Sequence, residues 1–159
     1  MIIRQSKPTD IQNIMPIYDY AREQMTLNGN PTQWVAYPSQ EIILRDISNN
    51  NSYVIESNGK ICGVFTFIIG VDQTYQNIDG KWLDDAPYGT IHRIASNGTE
   101  KGILIECINF CKSKIANLRI DTHSDNKIMR HLLDKTGFTE CGFIIGRDGA
   151  KRIAYQKRF

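Results

Sequence analysis

Two histidines stand in or at the ends of predicted strands, where a side chain can reach a bound substrate. His92 lies within the strand predicted at 88–96, and His123 ends the strand predicted at 117–123. Imidazole has the ordinary pKa nearest to neutrality, so both histidines are candidates to carry a proton in catalysis. Strand alternation puts Asp121 on the same face as His123, where its carboxylate would orient the imidazole. Hydrogen-bonded structural histidines beside a helix start are the alternative interpretation.

Between these histidines the sequence changes from strand-like to helix-like across a short polar turn. The stretch "IHRIASNGTEKGILIECINFCKSK" (91–114) first alternates apolar residues and then shows a helical period. A helix that starts directly after a strand points free backbone amides beyond the strand end, where they attract an anion. Gly102 permits a close backbone approach and Lys101 adds positive charge, so the turn suits a pyrophosphate. It lacks both the dinucleotide and the Walker glycine motifs, and a plain connecting turn is the alternative.

The rest of the chain supplies the elements that would position this chemistry. Helical periodicity predicts helices at 8–25, 39–49, 101–114 and 124–137, the last capped by Ser124 or Asp125. Strands are predicted at 2–5, at 88–96, at 117–123, in a hairpin over 52–69, and twice within 138–159. The hairpin turn is Asn58-Gly59, because both residues tolerate positive φ. Residues 70–87 show no period and are predicted to form a long loop.

This order of elements predicts one α/β domain over residues 1–159. The expected sheet is mixed, with six to seven strands flanked by about four helices. A central β-α-β unit over 88–123 would place its two strands parallel.

Composition argues against several functional classes. The net charge of +2 is too mild to indicate a nucleic-acid partner, and no apolar run is long enough to predict a membrane span. The N-terminus has no signal-peptide pattern, so a cytoplasmic protein with reduced thiols is expected. The cysteines do not follow a C-x-x-C spacing and no metal site is predicted; Cys107 and Cys111 are expected in the core.

The stretch "THSDNKIMRHLLDKTGF" (122–138), together with the turn and the element order, resembles the GNAT family of N-acetyltransferases, and its bacterial members in particular. The family pattern N-x-x-x-x-x-x-hydrophobic-x-K-x-G-F is matched by Asn126, Leu133, Lys135, Gly137 and Phe138. The resemblance covers essentially the whole chain. It implies a GNAT-like fold that uses acetyl-CoA.

The resemblance also implies which residues contact coenzyme A. The candidates are Ile94, Ala95, Ser96, Glu100, Lys101, Gly102, Ile103, Leu104 and Asn126. A backbone amide around 94–96 would polarise the thioester carbonyl. Asn126 has a second interpretation, as the cap of its helix. Two departures stand out, since Glu100 replaces the first glycine of the family turn and Leu133 replaces a tyrosine that protonates the thiolate in many relatives.

The function implied is direct transfer of an acetyl group from acetyl-CoA to a primary amine of a small molecule or peptide, in a ternary complex. The candidate catalytic residues are His92, His123 and Asp121, and the candidate acceptor-binding residues are Trp34, Tyr37, Tyr75, Asp79 and Trp82. Carboxylates at Asp79, Asp84 and Asp85 favour a small polyamine-like or amino-bearing acceptor. A homodimer through the final strands is a further expectation, as in some relatives.

Two other functions compete with acetyl transfer. The first is a module that binds acyl-CoA without catalysis, as a sensor or interaction domain, which Glu100 and Leu133 favour. The second is a nucleotide-binding α/β protein, which would require a glycine-rich phosphate motif that the sequence lacks.

Overall fold

An eight-stranded mixed sheet with helices on both faces organises the chain, and the computed structural model describes all of residues 1–159. The strands are β1 (Ile2–Gln5), β2 (Ser52–Ser57), β3 (Lys60–Ile69), β4 (Asp79–Gly80), β5 (Gly89–Ser96), β6 (Asn117–Thr122), β7 (Thr139–Ile145) and β8 (Lys151–Arg158). The helices are α1 (Ile11–Leu27), α2 (Gln40–Ser48), α3 (Ile103–Lys112) and α4 (Lys127–Lys135). The spatial order is β1-β2-β3-β5-β6-β8-β7-β4, and only β5 and β6 run parallel. The predicted mixed α/β architecture is confirmed.

Alternation along the first hairpin divides the core into two layers. Val54 and Val64 face α1 and α2, whereas Ile55 and Phe65 face α3 and α4. Successive side chains of a strand point to opposite faces, so one hairpin contributes to both layers. Asn58 (φ 50°) and its neighbour Gly59 (φ 72°) form the predicted turn. Cys107 and Cys111 lie in the layer of the core that contains Ile55 and Phe65, and both are fully buried as expected.

Helix boundaries follow local chemistry. Ser39 caps α2 by accepting a hydrogen bond from the amide of Ile42 at 3.3 Å, as predicted. Among the predicted caps of α4, the structure selects Asn126 over Ser124 and Asp125, since its Oδ1 atom accepts the amide hydrogen bond of Met129 at 3.1 Å. No helix is both long enough and apolar enough to span a membrane.

The predicted loop at 70–87 contains more structure than its sequence indicated. It forms a 3-10 turn at Gln73–Tyr75 and the two-residue strand β4, which pairs with β7. The pairing brings two backbones very close, since a Cβ on Gly80 would lie 2.2 Å from the carbonyl oxygen of Cys141. A glycine is therefore required at that position. The final strand β8 lies between β6 and β7 in the sheet.

The two parallel strands diverge, and this divergence creates the main opening in the sheet. β5 pairs with β6 only at Gly89 and Thr90, and the rest of β5 continues without a β6 partner. On its other edge, β5 shifts register against β3 near Arg93, whose φ of 51° is rare for a residue with a side chain. The bulge turns this part of β5 relative to its neighbours, next to the gap.

Candidate active site

A cavity of about 690 Å³ lies along the gap between β5 and β6. Side chains reach it from the α1–α2 connection, the loop before β5, both diverging strands, the start of α4 and the β7–β8 hairpin. Among its lining residues are Trp34, Tyr37, Asp46, Asp72, His92, Arg93, Asp121, Asn126 and Arg152. The cavity therefore gathers ionisable side chains that are far apart in the sequence.

His92 and Asp72 form a close pair on the wall of this cavity. The Nε2 atom of His92 lies 2.9 Å from Oδ2 of Asp72, and their side chains are 18% and 7% exposed. Burial alone would raise the pKa of Asp72, but the hydrogen bonds from His92 and Thr74 outweigh it and hold that pKa well below its usual range. Asp72 is consequently a carboxylate near neutral pH, and the pair has the chemistry of an oriented base.

A second ionic pair fixes the β5 bulge against α2. The guanidinium of Arg93 donates to both carboxylate oxygens of Asp46, at 2.8 and 3.0 Å, and to the hydroxyl of Tyr37 at 2.8 Å. Asp46 also accepts a hydrogen bond from Thr66 on β3. The hydroxyl of Tyr18 donates to the carbonyl of Arg93 at 2.9 Å. This network holds Tyr37 and the unusual backbone of β5 in place.

Asp121 does not orient His123, which corrects the prediction from strand alternation. Its carboxylate accepts a hydrogen bond from the hydroxyl of Tyr75 at 2.7 Å and lies 3.6 Å from a guanidinium nitrogen of Arg152. The pKa of Tyr75 is raised well above its usual value, mainly because the phenol is buried and also because the Asp121 carboxylate is close to it. The Nδ1 atom of His123 instead accepts the amide hydrogen bond of Asp125 at 3.3 Å, outside the cavity lining.

The turn between β5 and α3 presents a row of free amides. No hydrogen bond within the protein uses the backbone N–H groups of residues 100–105, and α3 has no side-chain cap. Gly102 has a φ of 80°, and a Cβ there would meet nothing within 4 Å. Six donors in sequence at a helix start, beside open space, fit the phosphate groups of a nucleotide cofactor.

Glu100, the acidic residue of this turn, lines a separate surface depression. Cys62, from β3, lines the same depression. Burial and the Glu100 carboxylate both raise the pKa of the Cys62 thiol, which places the carboxylate close to β3. Glu100 therefore lies on the side of the turn that faces β3, in a depression separate from the main cavity.

Asn126 links the α4 start to the α1–α2 connection. While its Oδ1 atom caps α4, its Nδ2 atom donates to Oε1 of Gln33 at 3.0 Å. Gln33 is buried and accepts a second hydrogen bond from Asn30 at 2.7 Å. The structure therefore assigns Asn126 the helix cap that was one of its two interpretations, and adds a contact to another wall of the cavity.

Comparison with known proteins identifies this arrangement. No protein-family model matches the chain, and no curated protein sequence does. Solved structures do match it. An acetyltransferase of the GNAT family from Streptococcus agalactiae 2603 superposes with a TM-score of 0.89 and 31% sequence identity, over 99% of this chain and 95% of that one. The chain belongs to the GNAT family.

Other GNAT-like structures extend the match over the same length. A protein from Staphylococcus aureus Mu50, classed as an acetyltransferase, has a TM-score of 0.73 and 26% identity, over 99% of each chain. A ribosomal-protein-alanine N-acetyltransferase from Brucella melitensis shares the fold, with a TM-score of 0.66, 18% identity and all of both chains covered. The resemblance inferred from the sequence is confirmed, and the nucleotide-binding alternative is set aside.

In this GNAT protein most of the predicted site residues lie either in the cavity or in the turn before α3. The cavity is lined by the predicted residues His92, Ile94, Asp121, Asn126, Trp34 and Tyr37. The turn residues Ala95, Ser96, Glu100, Lys101, Gly102, Ile103 and Leu104 lie outside the cavity, at the end of β5 and the start of α3. Ile103 and Leu104 bury their side chains in the core while their amides stay free.

The other predicted acceptor residues do not line the GNAT cavity. Tyr75 and Trp82 are buried together, with the indole N–H of Trp82 donating to the carbonyl of Tyr75 at 2.9 Å. Asp79 lies exposed in β4, and Asp84 pairs with Arg158 at 3.0 Å. Asp85 is absent from the cavity as well. The carboxylates that favoured a polyamine-like acceptor therefore give that idea no support.

Sequence reasoning missed Asp72, Asp46, Arg93 and Gln33. Asp72 lies in an aperiodic loop, and nothing in its spacing from His92 indicates a contact across twenty positions. The pair Arg93–Asp46 joins a strand to a helix across the sheet. One signal was available: an arginine directly after a histidine within an apolar strand must find a partner when it is buried.

Proposed function

We propose that this GNAT protein transfers an acetyl group from acetyl-CoA to a primary amine of a small molecule or peptide, with both substrates bound together. One arrangement carries the proposal: β5, which borders the gap, ends at Ser96, and the turn that follows it presents the free amides of residues 100–105. A thioester reaching along the gap and a pyrophosphate at the amides match two chemically distinct parts of acetyl-CoA.

The residues present fit coenzyme A. The amides of 100–105 would hold the pyrophosphate, and the open space at Gly102 would allow it to approach the backbone. Acetyl-CoA, when bound, supplies an acetyl group activated as a thioester. The backbone of 94–96, on the part of β5 that has no β6 partner, offers an amide donor for the thioester carbonyl.

For proton transfer, His92 has better support than His123. His92 lines the cavity and is held by a carboxylate, whereas His123 faces its own helix start. Leu133 is fully buried and has no proton to give to the thiolate. A thiolate is a fairly good leaving group, so it departs without an acid. Holding the two substrates in reactive geometry supplies much of the rate.

The acceptor would bind between the α1–α2 connection and the β7–β8 hairpin. Trp34 and Tyr37 provide an aromatic wall there. The Brucella relative is named for acetylating the alanine of a ribosomal protein, so an amine at the end of a peptide belongs in any acceptor screen.

The competing function, an acyl-CoA-binding module without catalysis, rests on Leu133 and Glu100. It predicts that acetyl-CoA binds and that no amine is acetylated. Acetyl transfer predicts both binding and product, so an amine panel separates the two after binding has been measured.

The first experiment is thermal unfolding with and without acetyl-CoA for the native protein and the Gly102→Trp variant. At one hundred times its Kd, acetyl-CoA stabilises the native protein by about 2.7 kcal/mol. For a chain of this size that corresponds to a rise in Tm of roughly 5–11 °C. The tryptophan would occupy the space beside the free amides, so we expect no rise in the variant.

Gly29→Trp is the matched control for this experiment. Gly29 also has a positive φ, of 81°, and open space around a Cβ, but it lies outside the cavity and the turn. Its variant carries the same backbone strain and should keep the full rise in Tm. Absence of any shift in the native protein would refute the acetyl-CoA proposal.

A further inference from the structure

We propose that Asp72 is a positioning residue that fixes the tautomer of His92, so that the Nδ1 atom of His92 takes the proton from the acceptor amine. This inference rests on the proposed function, since it assigns the proton acceptor in that reaction. It concerns a pair that the cavity brings together from a loop and a strand.

The surroundings of Asp72 leave one carboxylate oxygen for His92. Its Oδ1 atom accepts hydrogen bonds from the amide and the hydroxyl of Thr74, at 2.9 and 2.7 Å. Its backbone amide donates to the hydroxyl of Tyr88 at 2.8 Å, which anchors the loop. Only Oδ2 remains, and it lies 2.9 Å from Nε2 of His92. The carboxylate is thus held in one orientation before any substrate arrives.

This geometry decides where the imidazole carries its proton. An ionised carboxylate only accepts hydrogen bonds, so Nε2 of His92 must be the N–H donor. The neutral ring then has its lone pair on Nδ1, the atom that is able to accept a proton. Nδ1 makes no hydrogen bond with the protein, and His92 lines the cavity.

The other charged groups around His92 are already committed. Arg93 on β5 binds Asp46 of α2, and Asp121 on β6 binds Tyr75 and Arg152. Asp148 of the β7–β8 hairpin also binds Arg152, while Arg147 and Arg45 are exposed at the edges of the cavity. The Tyr75 ring centroid lies 6.4 Å from that of His92. Asp72 is therefore the one carboxylate bonded to this imidazole.

The step balances without another reactant. The amine nitrogen forms a bond to the acetyl carbon, and the carbon–sulfur bond breaks with its electron pair leaving on the thiolate. The proton lost by the amine passes to Nδ1 of His92. The Asp72 carboxylate stabilises the imidazolium through Nε2 and stays ionised.

The test compares Asp72→Asn, Asp72→Glu and His92→Gln, with Asp134→Asn, an exposed aspartate of α4 outside the cavity lining, as the matched control. Asparagine can offer an N–H to Nε2, which would select the opposite tautomer and place hydrogen on Nδ1. Loss of a general base costs on the order of 10²–10⁴-fold in rate. We expect kcat to fall by about a hundredfold or more in Asp72→Asn and His92→Gln, with the KM for acetyl-CoA unchanged.

Three readouts separate positioning from a structural role. The ¹⁵N NMR shifts of His92 should show hydrogen on Nε2 in the native protein and on Nδ1 in Asp72→Asn. The pH dependence of kcat/KM should lose its acidic limb, the fall in rate at low pH where the base is protonated, in His92→Gln, and Asp72→Glu should recover part of the rate. Asp134→Asn should match the native protein in every measurement.

Several outcomes would overturn the inference, and they differ from a failure of the proposed function. A native protein with hydrogen on Nδ1 would refute it whatever the activity. So would an Asp72→Asn variant that keeps the native kcat and pH profile in an active enzyme. A native protein that acetylates no amine would overturn the proposed function, and the catalytic role of this pair with it.

Discussion

Removing the Asp46 carboxylate should lower the unfolding temperature of the protein substantially. Asp46 and Arg93 form a two-point ion pair whose side chains are each only 10% exposed. Asp46→Ala leaves the Arg93 guanidinium buried without a counter-charge and leaves Thr66 without its acceptor. Breaking a buried pair on one side costs roughly 3–5 kcal/mol. We therefore expect the Tm to fall by about 6–20 °C.

The assay is thermal and urea unfolding of Asp46→Ala beside Glu41→Ala. Glu41 lies on the same helix and reaches Arg45 at 3.6 Å, but both side chains are mostly exposed. An exposed pair of this kind contributes only about 0–0.5 kcal/mol. The two variants remove one acid each from α2, so burial of the partner is the main difference between them.

A double variant tests the reasoning further. Replacing both charges, as Asp46→Leu with Arg93→Met, removes the uncompensated charge and should recover at least half of the stability lost in Asp46→Ala. If the free energies of unfolding of Asp46→Ala and Glu41→Ala differ by less than about 1 kcal/mol, the buried pair contributes no more than a surface pair. A stabilising role for the pair of Asp46 and Arg93 would then be refuted.

Two further predictions concern acid stability and the leaving group. Because the folded state lowers the pKa of Asp72, its carboxylate stabilises the protein above the ordinary value of about 3.9, and this contribution is lost as the pH falls below it. Urea unfolding at several pH values between about 5 and 2 should show a steeper loss of stability in the native protein than in Asp72→Asn, and equal slopes would contradict this. Leu133→Tyr restores the tyrosine of many relatives at a fully buried position, so we expect a loss of about 1–3 kcal/mol and no gain in kcat. A higher kcat in this variant would show that the ring reaches the site.

Much of the fold was predictable because local rules and the family pattern agree. The Asn58-Gly59 turn needed two positive φ values, and the structure has both. The β5-α3-β6 unit followed from its change of period, and its strands are parallel. The 70–87 loop hid the strand β4, since two residues are too few to show any alternation.

Prediction of the site was less complete. His92 and Asp121 were identified by their chemistry and both line the cavity, but the partner of each was predicted incorrectly or missed. Same-face alternation shows that two side chains leave a strand together, not that they meet. Tyr75 from the loop occupies the position beside Asp121 where alternation predicts His123.

The sequence by itself determined all of the helices and most of the strands, their order, the turn before α3 and the candidate proton carrier, because these depend on residues near one another in the chain. Only the tertiary structure decided that β5 and β6 diverge, that Asp72 meets His92, and that Asp79 and Trp82 lie away from the cavity. Hydrogen bonds and ion pairs form between groups that packing brings within about 3 Å, whatever their separation in sequence. An isolated aspartate in a polar loop carries no sign of the histidine that it will hold.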